Sequence, residues 1–131
     1  MKMVLLLKRK PGITAEEFKN HYESSHAPLA TRLLHFGTYK RNYINKEELY
    51  SAGHVENAAP LPDYDVVVEI GFESRDDYQK MLDALADPVI GKEIADDEAK
   101  FLDRDALQMF FVEEFETPRA ELAAARAKAA A

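Results

Sequence analysis

Lys2-Met3-Val4-Leu5-Leu6-Leu7-Lys8 reads as a β-strand that is apolar on both faces, with Met3, Leu5 and Leu7 in one alternating set and Val4 and Leu6 in the other. A strand with one wet face would alternate with polar residues, so this one needs a cover on each side. Pro11-Gly12 ends it. The two-sided pattern recurs in residues 65–72, through Val66, Val67, Val68 and Ile70, and in residues 107–115, through Phe110, Phe111 and Val112. Residues 39–45 read as a fourth strand, alternating Tyr39, Arg41 and Tyr43 against Lys40, Asn42 and Ile44.

Helical signals lie between these strands. Thr14-Ala15-Glu16-Glu17 is a capping box, with Thr14 as the cap and Glu17 reaching back to it. The helix that follows places Phe18, Tyr22, Ser25 and Leu29 on one side. Pro28 is expected to break or kink it, since the ring clashes with the carbonyl four residues earlier. A second stretch then runs over residues 29–35 and stops at Gly37. Residues 74–77 start the next helix, with Tyr78, Met81, Leu82 and Leu85 at helical spacing. Pro88, just after Asp87, suits the first turn of another, which holds Val89, Ile94 and Ala95.

The order strand, helix, strand, strand, helix, strand predicts an α+β, ferredoxin-like βαββαβ fold with a four-stranded antiparallel sheet. Helices cover only one face of such a sheet, so the apolar second face predicts a homodimer packed sheet against sheet. Residues 46–64, with Gly53, Pro60 and Pro62, form a long loop of the kind that serves as a lid or binding element, or is disordered. Residues 118–131 are an alanine-rich tail beyond a domain of residues 1–117. High helix propensity but little apolar bulk makes it a frayed helix or a cloning remnant rather than a docking element.

The chain has 131 residues and a mass of 14.8 kDa, the size of one domain with one core. Seventeen basic and twenty-four acidic side chains give a net charge of −7, which argues against nucleic acid or an anionic membrane as partner. The absence of cysteine excludes disulfides, zinc ribbons and iron–sulfur clusters. The apolar run Met3 to Leu7 is too short for a membrane span, and Lys8-Arg9-Lys10 follows it rather than preceding it, the wrong order for a secretory signal. A cytoplasmic location is the default expectation. There is no glycine-rich phosphate loop, zinc helix or nucleophile elbow.

Four histidines remain. His21 and His26 are five residues apart, not an i, i+4 pair, and make a poor preformed metal site. His26 stands at the edge of the buried stripe and just before Pro28, at what reads as a helix C-terminus. There a dipole favours the charged ring and burial favours the neutral one, leaving a group suited to general acid–base work. The same position also suits a ring that caps the last carbonyls. His54 lies in the long loop, where it either reaches over a pocket or faces water; His21 and His35 read as surface or boundary residues. Tyr22, Tyr39, Tyr43 and Tyr64 offer phenolic hydroxyls, or simply fill the core boundary. Asp96-Asp97-Glu98 reads as a solvated face, because adjacent carboxylates on a helix point in different directions.

Taken together, Leu7-Lys8-Arg9-Lys10-Pro11-Gly12, Glu16-Glu17-Phe18, His21-Tyr22 and His26-Ala27-Pro28-Leu29-Ala30 resemble the EthD-domain signature. Pro62-Asp63-Tyr64-Asp65, the run from Asp97 to Asp103, and Phe111-Val112-Glu113-Glu114 fit the same family, so the resemblance spans nearly all of residues 2–116. It implies the dimeric α+β barrel fold, with a pocket between the sheet and the helices of each protomer. Relatives in that wider group include cofactor-free monooxygenases, haem-degrading enzymes, polyketide cyclases and lactone isomerases. Relatives close to EthD include fungal polyketide-pathway enzymes assigned decarboxylation or dehydration. The histidine of the His-Ala-Pro motif maps onto His26, which implies a catalytic role; nothing in the motif maps onto His54.

The expectation is a small enzyme without cofactor or metal, of the lyase or isomerase kind, acting on a phenolic, polyketide-like or lactone substrate. His26 would move a proton at a carbon next to a carbonyl, with His54 or a tyrosine polarising the oxygen. Tyr22, Tyr43 and Tyr64 are the candidate substrate-binding residues. The alternatives are a cofactor-independent or haem-linked monooxygenase and a small-molecule-binding dimer without turnover. Haem would need an axial histidine, and the acidic balance suits its propionates poorly.

Overall fold

The computed structural model of the chain describes residues 1–50 and 60–130. Strand β1 (Lys2–Leu7) leads to helix α1 (Ala15–His21), a π-helical turn (Tyr22–His26) and helix α2 (Ala27–Leu33). Strands β2 (Thr38–Tyr43) and β3 (Val66–Gly71) follow, then α3 (Arg75–Ala86), α4 (Pro88–Glu98), β4 (Gln108–Val112) and α5 (Arg119–Ala130). The four strands pair antiparallel in the order β2-β3-β1-β4, the ferredoxin-like arrangement expected from the sequence.

Local chemistry sets the element ends. Thr14 accepts from the Glu17 backbone N–H at 3.0 Å, while Glu17 accepts from the Thr14 N–H at 3.2 Å, so both bonds of the capping box form. Ser74 caps α3, and Asp87 caps α4 through the N–H groups of Val89 and Ile90. Gly91 lets α4 start against the end of α3, since a Cβ there would overlap the Leu85 carbonyl oxygen.

The break expected at Pro28 does not occur. The chain stays helical from Ala15 to Leu33, and Pro28 is the second residue of α2, directly after the π-helical turn. The strain of its ring is taken up one turn earlier, where Ala27 N–H bonds to the Tyr22 carbonyl five residues back. The helical run ends at Leu34, and His35 takes a positive φ of 57°.

Register puts Met3, Leu5 and Leu7 beside Ile70, Val68 and Val66 on the face beneath the helices. Phe18, Tyr22 and Phe101 pack there with Val66 and Val68, which have no exposed surface. Segment 101–103 is tied to segment 8–10 by backbone bonds from Lys10 N–H to Phe101 and from Asp103 N–H to Lys8. The other face carries Val4, Leu6, Val67 and Phe110, of which Phe110 is 43% exposed and the other three only partly buried. Among the described residues nothing covers it. Helix α5 is exposed along its whole length.

Candidate active site

Between the sheet and the helices lies a cavity of about 300 Å³. Its walls are chiefly aliphatic: Met3, Leu5 and Leu7 from β1, Ile70 from β3, Met81 from α3 and Ile94 from α4. Five polar side chains reach it, namely Tyr22, His26, Tyr39, Tyr78 and Glu98. An apolar chamber with a few convergent polar groups is the usual form of a small-molecule site. A more open groove of about 430 Å³ lies behind α4, lined by Ser24, Arg32, Glu93, Asp96 and Lys100 among others, and is predominantly polar and charged.

His26 is 7% exposed and its Nδ1 lies 2.9 Å from Asp97 Oδ2. Asp97, 6% exposed, also accepts from Ser25 Oγ at 3.0 Å and from His21 Nε2 at 3.1 Å, both on Oδ1. Burial pushes the Asp97 carboxyl up, but the hydrogen bonds from His26 and Ser25 and the two imidazoles outweigh it and hold the group below its ordinary value. A carboxylate only accepts, so the His26 proton sits on Nδ1. Nε2 is left with its lone pair and no protein partner among the described residues. Burial, opposed by Asp97, lowers the His26 pKa, so the ring is neutral near pH 7. The result is a base of fixed tautomer at the wall of an apolar cavity.

Three sequence-based expectations are corrected here. His26 is not at a helix C-terminus and does not cap carbonyls, because the π turn carries the helix through it. His21 and His26 do act on one point, since the wider turn brings residues five apart onto the same side, where both meet Asp97 and stack near Phe101. Asp97 is not on a solvated face. With Ile90, Ile94 and Phe101 it falls at i, i+4, i+7 and i+11, so it occupies the buried stripe, and that spacing was the available signal.

Tyr22 Oη and Tyr39 Oη lie 2.7 Å apart. Tyr22 is almost fully buried with no other hydrogen-bond partner among the described residues, so it donates, and the Tyr39 hydrogen is free for a ligand in the cavity. Burial pushes the Tyr39 phenol up to about 12, against the Tyr22 bond and the Arg41 charge. Arg41 stacks on the Tyr39 ring, 4.7 Å from its centre, and is held by both oxygens of Glu23 at 2.7 and 2.9 Å. Those bonds, opposed by partial burial and joined by one from Tyr43, lower the Glu23 pKa to about 2. The brace keeps Tyr39 in place from outside the cavity.

Of the expected site residues, the structure brings His26 and Tyr22 to the cavity. Tyr43 instead donates to Glu23 at 2.6 Å and lines a surface groove with Lys19 and Lys46. Tyr64 is half-buried and is not among the residues lining the cavity. His54 falls in 51–59, outside the described residues. Among the described residues no group of three or more His, Cys, Asp or Glu side chains is placed to hold a metal ion. No helix among them is long and apolar enough to cross a membrane.

Comparison with known proteins agrees with this architecture. The EthD domain model matches residues 10–105. The chain is similar to decarboxylase claH of Passalora fulva, at 31% identity over 86% of this chain and 76% of the relative. It is similar to dehydratase ustZ of Ustilaginoidea virens, at 32% identity over 77% of this chain and 74% of the relative. Among solved structures, an EthD family protein of Bacillus halodurans shares the fold with a TM-score of 0.55, at 20% identity over 88% of this chain and 99% of that one.

Proposed function

The chain belongs to the EthD domain family, and from that premise we propose that it is a small lyase needing no cofactor, which eliminates water or carbon dioxide from a phenolic or polyketide-like substrate. The observation that carries the proposal is the neutral His26, held by Asp97 with Nε2 free, at the wall of an apolar cavity that also presents the Tyr39 hydroxyl. In the proposed step the substrate carbonyl accepts from Tyr39, and Nε2 takes a proton from the adjacent carbon. The electron pair flows into the carbonyl, and Tyr39 stabilises the enolate oxygen. Elimination of water starts from that enolate. For carbon dioxide, His26 first takes the proton of the substrate's carboxylic acid; loss of carbon dioxide then leaves the same enolate, and His26 returns that proton to carbon. The two relatives, named a decarboxylase and a dehydratase, support chemistry of this class.

We also take the functional unit to be a homodimer, in which a second copy covers Val4, Leu6, Val67 and Phe110. The small molecule would enter the cavity on the opposite face of the sheet.

The test is incubation in heavy water of phenolic acids, diketones, hydroxy ketones and unsaturated lactones with the parent protein and with His26→Ala, read by mass spectrometry. The expected result is loss of water or carbon dioxide, or deuterium uptake, that falls by about 10²-fold or more in the variant. Unchanged turnover of a true substrate by His26→Ala would overturn the role of His26, and gain of oxygen would replace the lyase with an oxygenase.

A further inference from the structure

Asp97 and Glu98 are consecutive in the last turn of α4, and their side chains leave the helix about 100° apart. Asp97 turns to His26 from behind, while Glu98 enters the cavity itself. Glu98 is the only carboxyl group among the residues lining that cavity, and no lysine or arginine lines it. Among the described residues the Glu98 side chain has neither a hydrogen bond nor an ion pair. A carboxylate facing aliphatic walls without a partner is costly, whereas the protonated acid carries no charge to desolvate. Burial accordingly holds the Glu98 carboxyl above its usual range, with Arg104 opposing and Asp97 adding to the effect.

We propose that Glu98 is the general acid that releases a hydroxyl group as water, so that the substrate is a neutral β-hydroxy ketone and the reaction a dehydration. This assignment rests on His26 being the base. It also separates the two eliminations left open above. A substrate carboxylate would enter a chamber with no cation to pair with and would face Glu98. A hydroxy ketone brings no charge, and its two oxygens match two of the donors lining the cavity, Tyr39 for the carbonyl and Glu98 in its acid form for the hydroxyl. In the reaction the α C–H bond breaks and its proton moves to His26 Nε2, giving an enolate held by Tyr39. The enolate pair then forms the carbon–carbon double bond as the β C–O bond breaks. The departing oxygen takes the Glu98 proton and leaves as water. His26 now holds one proton more and Glu98 one fewer, and exchange with solvent restores both, so no oxidant or reductant is needed.

The test uses the full chain in heavy water with the bicyclic hydroxy ketone β-hydroxytetralone, which yields naphthol when it loses water. Two rates are followed: deuterium entry at the α-carbon and naphthol formation. Glu98→Gln keeps the shape but has no acidic proton. It is expected to form naphthol at least about 10²-fold more slowly while α-exchange falls by no more than about threefold, which also shows that the variant is folded. Naphthol formation by Glu98→Gln at the parental rate overturns the assignment, as does parental preference for the corresponding β-keto acid with release of carbon dioxide. Absence of α-exchange in the parent overturns the proton-transfer mechanism itself, and the role of Glu98 with it.

Discussion

Replacing Asp97 by Asn changes one atom and tests whether the carboxylate positions the base or merely fills space. Asp97 receives three hydrogen bonds, from His26, His21 and Ser25. An amide has one oxygen and a donor in place of the other oxygen, so it cannot receive all three. If the NH₂ group faces His26, Nδ1 must accept. The ring proton then moves to Nε2, and the atom that should take a proton from substrate becomes a donor. If the oxygen faces His26, the NH₂ group is set against the donors His21 and Ser25. Removing the charge from bonds of this type costs about 1.5–3 kcal/mol each, partly offset because a buried amide is easier to desolvate than a carboxylate. A net loss of about 1–3 kcal/mol is therefore expected, seen as a Tm lower by roughly 3–6 °C per kcal/mol in a domain of this size. Activity should fall by about 10²- to 10⁴-fold, beyond what partial unfolding at 25 °C would produce. A pH–rate profile separates positioning from structure. Asp97 raises the His26 pKa against burial, so without the carboxylate the acid limb of kcat/KM moves to lower pH. Activity within threefold of the parent, with an unmoved acid limb, would refute the positioning role of Asp97.

The remaining predictions concern the rest of the site and the open sheet face. His26 has a native pKa below its ordinary 6.5, so the unfolded chain binds more protons there as pH falls below that value; Tm should drop on acidification from pH 7 towards 5, and the drop should be smaller in His26→Gln. Tyr39→Phe should lower kcat by about 10²-fold with little change in KM, because its hydroxyl acts on the developing enolate; steady-state kinetics check this, and a change confined to KM would contradict it. Sedimentation at micromolar concentration should give about twice the 14.8 kDa chain mass, and Phe110→Glu should shift it towards one. A monomeric parent would leave the apolar second face unexplained.

Where the sequence was legible, the signals were local and repeated. The two-sided apolar strands, the box at Thr14 and the helix starts at residues 74–77 and Pro88 each state their element within a few residues, and their order leaves few topologies. His26 stood out by its place at the edge of the buried stripe, the resemblance to the family strengthened that reading, and the structure places it at the cavity wall with Tyr22. The partners of His26 were less legible. Asp97 is 71 residues away along the chain, and its meaning depends on contact with a turn whose pitch the sequence does not show. Pro28 announces a disturbance but not its form, and reading it as a break hid the convergence of His21 and His26. Glu98 looked like surface because it belongs to an acidic run, and only the tertiary placement of α4 separates its direction from that of its neighbours.

The π turn has a consequence beyond the two histidines. In a helix of constant pitch, residues twelve apart differ in phase by about 120°, at about 100° per residue. Phe18 and Ala30 are twelve apart, yet both are buried in one core. The wide turn absorbs one residue and leaves about 20° between them, so that two amphipathic half-helices of different phase share a single axis. Deleting the exposed Ser24 would let the segment relax to an ordinary α-helix without disturbing that shared burial. The deletion would leave the two histidines four apart, again on one side of the helix, so both imidazoles could still meet one carboxylate.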